Sequence, residues 1–298
     1  MDYKRIDMHT HAATRRGPEF FGGGSHPTCE ELIEMHKTFG IERALLMPLI
    51  CVEWNMGITT NEEVIEMVKK YPDNFSWFCY IDPRQGNHSP DYDFTPLLEH
   101  YKSYGARGVG EMCSNLYFDD PYTLNLFKHC EACDMPVLFH MGFKGGEYGL
   151  CDDIGLPRLE KVLKMFPRLR LIGHSARFWS EISVSSTGGG GYPQGPVTPG
   201  RVVELMRKYQ NLYGDLSAGS GSNAIMRDPE FGYKFLEEFS DRLFYATDIC
   251  THDWEKIKDS YVKDFIKYLD DGVATGKLSE EAHYKISRGN AEQLLGLK

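Results

Sequence analysis

Eight short β-type runs, each followed by a segment of helical periodicity, constrain this chain more than any other feature. The runs cover residues 5–9, 44–49, 75–81, 108–112, 137–140, 169–173, 212–215 and 243–246. Between them apolar residues recur at helical spacing over 28–39, 61–70, 95–104, 121–133, 157–165, 200–209 and 229–238, and two further helical stretches, 255–269 and 280–295, close the chain. Helix-start signals fall where they should: Thr28 precedes Glu31 by three positions, and Asp120 stands directly before Pro121. Parallel strands joined by helical crossovers close on themselves at eight units, so the expected fold is α/β, a single (β/α)8 TIM barrel spanning 1–298 as one domain. An open, doubly wound sheet uses the same alternation, but the first turn, His9-Thr10-His11-Ala12-Ala13, lacks the glycine-rich phosphate loop of a nucleotide-binding first turn.

Composition narrows the partners. With 33 Lys+Arg against 43 Asp+Glu the net charge is −10, so no basic field is present to hold nucleic acid or an anionic membrane. The longest apolar run, 44–52, is broken by Pro48 and falls short of the roughly 20 residues that cross a bilayer. Charged residues stand near the start where a signal peptide needs an apolar stretch, and a cytoplasmic protein is expected. Eight scattered cysteines then read as buried thiols rather than a disulfide framework, and Cys130-x-x-Cys133, ending a helix without a second pair, reads as two ordinary thiols. Segment 180–200, with four consecutive glycines and several prolines, reads as a mobile lid or subunit contact over one mouth of the fold. A homodimer or higher homo-oligomer is the expected assembly.

The chemistry begins at His9 and His11. A strand period of two puts both imidazoles on one face, where they can share one metal ion. Glu111, His140, His174 and Asp248 stand at or just beyond the ends of the fourth, fifth, sixth and eighth runs. In a barrel these ends converge on the C-terminal mouth, the place of active sites in this fold. Any one of these residues alone is an ordinary polar strand end. Six together point to a metal centre, and imidazoles with one or two carboxylates suit zinc and similar divalent ions.

On Ile6-Asp7-Met8-His9-Thr10-His11, His140, Ile172-Gly173-His174, 211–217, Tyr245-Ala246-Thr247-Asp248 and 289–296, the chain resembles the amidohydrolase superfamily over nearly its whole length. The similarity is to the amidohydrolase-related branch, which holds metal-dependent hydrolases and aminocarboxymuconate-semialdehyde or dihydroxybenzoate type decarboxylases. The resemblance implies His9, His11, His140 and Asp248 as ligands of a first metal, with His174 either a second-metal ligand or an acid/base. In some hydrolase relatives a glutamate placed like Glu111 bridges two ions, so one or two ions, zinc first, are expected. Glu111 reads equally well as a carboxylate that hydrogen-bonds a ligand.

Cations in or near the loops after strands, Arg15, Arg16, Arg84, Lys144 and Arg177, are positioned to hold a substrate carboxylate. Trp54, Phe143, Trp179 and Trp254 are candidates for an apolar wall. Among these, Arg84, Lys144, Arg177, Trp54 and Trp179 are the expected substrate-binding set. Of the histidines outside the strand ends, His252 is the one near enough to Asp248 in sequence to watch. The favoured activity is hydrolysis of an ester, lactone or amide of a small organic acid by a metal-activated water. Asp248 takes and returns the proton, and His174 steadies the developing oxyanion. Non-oxidative decarboxylation of a small or aromatic carboxylic acid is the alternative.

Overall fold

Strand β1 (Arg5–Thr10) pairs in parallel with β2 (Ile41–Leu46), and the step repeats through β3 (Phe75–Cys79), β4 (Ala106–Met112) and β5 (Val137–Gly142). A two-residue strand, β6 (Leu150–Cys151), pairs with the end of β5 and lies off this path. The ring continues through β7 (Leu171–His174), β8 (Leu212–Asp215) and β9 (Leu243–Phe244). It closes where Thr10 bridges Ile249 in parallel and Met8 N donates to Tyr245 O at 3.1 Å. The fold is therefore a (β/α)8 barrel, seen here in a computed structural model that describes residues 3–19, 23–54, 57–145, 147–184 and 191–297.

Two apolar layers hold it. Ile6, Met8, Leu45, Phe78, Leu138, Ile172 and Phe244 come from strands around the whole ring and yet pack on one another, which places them inside the barrel. A larger cluster lies between the strands and the surrounding helices. The helices start as their sequences dictate. Thr28 Oγ1 accepts from Glu31 N while Glu31 accepts from Thr28 N, Thr60 and Glu63 repeat the arrangement, and Asp120 caps Tyr122 N ahead of Pro121. Among the described residues no helix is long and apolar enough to cross a membrane, and all eight cysteines are free thiols.

The differences from sequence expectation have local causes. The final strand ends at Phe244 rather than 246 because Tyr245 N is drawn to Ile286 O, 2.8 Å away, in a π-helical turn (Lys285–Gly289) of the closing helix. The helix expected over 255–269 is two helices, Trp254–Ile257 and Tyr261–Ala274. Ser260 divides them, its hydroxyl donating back to Ile257 O and capping Val262 N. Two short helices, Ala176–Ser180 and Ala218–Met226, escape periodicity altogether; the second is built largely of Gly, Ser and Ala, which carry little apolar pattern. Of the expected lid, both ends are tied down: Val184 N donates to Thr198 O at 3.0 Å, and Gly200 N to Ile182 O at 2.8 Å. Residues 185–190, the middle of that segment, lie outside the described residues.

Candidate metal centre

At the C-terminal mouth each imidazole of the His9/His11 pair has its tautomer fixed from behind. His9 Nδ1 lies 2.6 Å from Asp215 Oδ2, and His11 Nδ1 lies 3.1 Å from the Met47 carbonyl oxygen. Carboxylate and carbonyl oxygens only accept here, so each Nδ1 carries a proton and each Nε2 is the nitrogen left to face a ligand. The two Nε2 atoms face one another across 3.2 Å. Met8, the residue before His9, fills the barrel interior; the register shift between Asp7 and Thr10 in the β1–β2 pairing lets both neighbours point inward.

Two carboxylates approach the same point. Glu111 Oε2 is 3.5 Å from His9 Nε2 and 3.4 Å from His11 Nε2, and Asp248 Oδ1 is 3.5 and 3.6 Å from the same two nitrogens. Bonds of about 2.0–2.2 Å at tetrahedral angles separate donor atoms by about 3.3–3.6 Å. Four inward-facing groups at this spacing, two imidazole nitrogens and two carboxylate oxygens, fit a divalent cation. The surrounding carboxylates make this a point that favours positive charge. Burial alone would lower the pKa of His9, but Asp248, Asp215 and Glu111 outweigh it and hold it well above the ordinary histidine value. Burial would raise Glu111, but His9, His11 and His140 keep its carboxyl well below the usual range.

Glu111 also reaches the other way. Its Oε1 is 2.8 Å from His140 Nδ1 and 3.6 Å from His174 Nε2. His140 and His174 are direct partners in the β5–β7 register, which sets their rings side by side with centroids 5.3 Å apart. His140 thus joins the cluster through Glu111 rather than through the His9/His11 pair. His174 Nδ1 is 2.9 Å from Ser217 Oγ and 3.3 Å from Asp215 Oδ2. Its pKa is raised, since burial and neighbouring His9 are outweighed by Asp215 and Glu111. Asp248 sits at φ +54°, a left-handed conformation that aspartate tolerates, and its N–H donates to His9 O at 2.7 Å.

A cavity of about 430 Å³ opens beside this cluster, lined by His140, His174, Asp248, Tyr148, Arg177 and Tyr192 among others. Arg177 is buried. It makes only long contacts, to Glu181 Oε1 at 3.4 Å and Asp152 O at 3.5 Å, its face covers the Phe143 ring, and its Nε has no hydrogen-bond partner among the described residues. The other expected substrate contacts are placed differently. Arg84 is consumed by Glu53 (2.7 and 3.0 Å) and Asp82 (2.6 and 2.8 Å), so it has no free fork for a ligand. Lys144 donates to Asn115 O at 2.6 Å. Trp179 is buried, its indole nitrogen donating to Asp215 O at 2.8 Å, and it supports the site from below. Trp54 touches the cavity at one remove, edge-on to Tyr148. His252 pairs with Ser25, its Nδ1 accepting from Ser25 N at 3.1 Å and its backbone N–H donating to Ser25 O at 2.9 Å.

Set against known families, residues 6–297 match the family model described as Amidohydrolase. The chain belongs to the amidohydrolase family. Comparison with curated proteins returns no match. Among solved structures, an uncharacterised TIM-barrel protein of Bordetella bronchiseptica superposes with a TM-score of 0.67 at 18% identity, covering 98% of both chains. A probable 2-pyrone-4,6-dicarboxylic acid hydrolase of Acinetobacter baumannii, with citric acid bound, gives 0.60 at 13% identity, covering 98% of this chain and 99% of its own. A 5-carboxyvanillate decarboxylase of Novosphingobium aromaticivorans, complexed with manganese and 4-hydroxy-3-methoxy-5-nitrobenzoic acid, gives 0.58 at 15%, covering 99% and 96%. At these identities the likeness is one of fold.

Three residues of this amidohydrolase were not singled out from sequence. Asp215 was visible only as a strand end. Asp7 accepts from His9 N at 3.1 Å, Thr247 N at 2.9 Å and Thr247 Oγ1, fastening the histidine strand to the segment that carries Asp248. His26 stacks on His11 with centroids 5.7 Å apart and is held neutral, its pKa lowered to about 3 by burial and by His11. A D-x-H-x-H reading could have flagged Asp7, but no local pattern points to His26.

Proposed function

We propose that this chain is a metal-dependent hydrolase acting on an ester, lactone or amide of a small organic acid. The observation that carries this reading is the placement of Glu111, whose two oxygens face two different imidazole sets. His9, His11 and Asp248 would hold one cation, His140 and His174 a second, with Glu111 shared between them and zinc the fitting ion for this nitrogen and oxygen set. A divalent ion held there would supply the acidity that makes water a nucleophile near neutral pH and would polarise a carbonyl.

The chain's own groups do the rest. Asp248 is the most exposed carboxylate of the cluster, at 22%, and its Oδ2 faces the cavity side, 3.7 Å from His174 Nε2. It is placed to accept the proton of an attacking water and return it to the leaving group. With a single cation on the His9/His11 side, His174 is instead free to act as the acid: Ser217 and Asp215 fix its Nδ1, its pKa is raised, and Nε2 is placed to donate to the developing oxyanion. Arg177, a buried cation weakly paired by the protein itself, draws the acid group of the substrate into the cavity. The reading takes 1–298 as one catalytic domain in a cytoplasmic, homo-oligomeric enzyme.

Metal-free protein reloaded separately with zinc and manganese should release acid from small lactones, esters or amides without carbon dioxide. Carbon dioxide release from aromatic or unsaturated acids, with no hydrolysis of any lactone, ester or amide, would replace this reading with decarboxylation.

A further inference from the structure

One wall of the cavity is a phenol that the chemistry above does not use. Tyr148 lies between β5 and β6, and the segment around it is drawn unusually close to the end of β5. A Cβ on Gly142 would stand 2.0 Å from Tyr148 O, and one on Gly149, at φ +103°, would stand 2.8 Å from both His140 Cδ2 and His140 O. Glycine at both positions is what lets this backbone cross over His140. The crossing is fastened by Gly149 N donating to Cys113 O at 2.6 Å and by the β5–β6 pairing.

The result is a fixed ring. Tyr148 lies over His140 with centroids 4.3 Å apart and meets Trp54 edge-on at 5.1 Å. These contacts account for the ring but not for the hydroxyl, which has no hydrogen-bond partner among the described residues although the residue lines the cavity. Half-buried tyrosine hydroxyls ordinarily find a partner, and at neutral pH the phenol is a neutral donor. The carboxylates of Glu111 and Asp248 lie close enough to act on it electrostatically. The phenol thus lines the same cavity as His140, His174, Asp248 and Arg177 with a donor that the protein leaves unused.

We propose that the Tyr148 hydroxyl donates a hydrogen bond to an oxygen of the bound acid, making Tyr148 a substrate-recognition residue of this site. The inference rests on reading the cavity as a site for a small organic acid. No bond is made or broken by Tyr148. It holds the acid beside His140 and so complements the charge of Arg177 with direction.

Tyr148→Phe tests this, since it keeps the ring contacts with His140 and Trp54 and removes one atom. The probe is 4-hydroxy-3-nitrobenzoate, whose nitrophenolate absorbance reports binding, titrated into zinc-loaded wild type and variant, with zinc content and melting temperature measured on the same samples. The expected result is affinity about 10-fold weaker in Tyr148→Phe at unchanged zinc content and melting temperature, the loss of one hydrogen bond to a charged acceptor. Equal affinity in both proteins overturns the role of Tyr148 and leaves the functional reading standing. Loss of zinc or of several degrees in the variant makes the hydroxyl structural and overturns the inference as well. A wild type that binds no probe overturns the small-acid reading, and this inference with it.

Discussion

Asp215 Oδ2 lies 2.6 Å from His9 Nδ1 and 3.3 Å from His174 Nδ1, so a single buried carboxylate orients imidazoles from two different strands. It is itself held: Ser217 N donates to its other oxygen at 2.8 Å, and Trp179 Nε1 to its backbone carbonyl. Because Asp215 takes the Nδ1 side of His9, Nε2 is turned towards His11, Glu111 and Asp248.

Asp215→Asn should weaken divalent metal binding by about 10- to 100-fold, the usual cost of removing a carboxylate behind a ligating histidine. Competition against a fluorescent chelator measures it. Wild-type affinity in the variant would mean that His9 is oriented without Asp215.

Purified without chelator, the protein should carry stoichiometric divalent metal by elemental analysis, and a His9→Ala/His11→Ala double variant should carry none. Stripping the metal from wild type should also lower its melting temperature, because an ion bound only by the folded state stabilises that state by mass action. Full metal in the double variant would rule out the His9/His11 centre.

For Asp248→Asn the amide oxygen still coordinates weakly, but the proton acceptor is gone. Turnover should fall by about 10² to 10⁴ with metal retained. If metal and turnover both stay near normal, the proton is carried elsewhere, with His174 the next candidate.

Arg84 gives a prediction of a different kind, because its fork is spent on Glu53 and Asp82 rather than on a ligand. Burial would raise Glu53, but hydrogen bonds led by Arg84 bring its pKa down to about 2. A folded-state pKa below the unfolded value of about 4.3 contributes stability that is complete above that pH and is lost as pH falls towards 2. Arg84→Met should therefore lower stability by about 1 kcal/mol at pH 7, discounted for partial exposure, with the gap to wild type narrowing below about pH 4.5. Chemical denaturation at pH 7 and pH 3.5 reads this directly. A change in substrate affinity with no change in stability would restore Arg84 as a ligand-binding residue.

The barrel, and the gathering of candidate ligand side chains at one mouth, were legible in the sequence because both follow from short-range regularities. Strand period two pairs His9 with His11, strand ends place Glu111, His140, His174 and Asp248 at one mouth, and the Thr28/Glu31 and Asp120/Pro121 signals start helices where the structure has them. Which polar groups partner one another was decided only in three dimensions. Asp215 meets His9 across 206 positions of chain, and Thr247 meets Asp7 across 240. No periodicity encodes such separations, because they depend on how the ring closes and on the register of neighbouring strands. The same holds for the cations: Arg84 and Arg177 look alike as loop arginines, and only the packing of Glu53 and Asp82 around the first, and of Phe143 and the open cavity around the second, separates a fork spent on two carboxylates from a buried, weakly paired one beside the cavity.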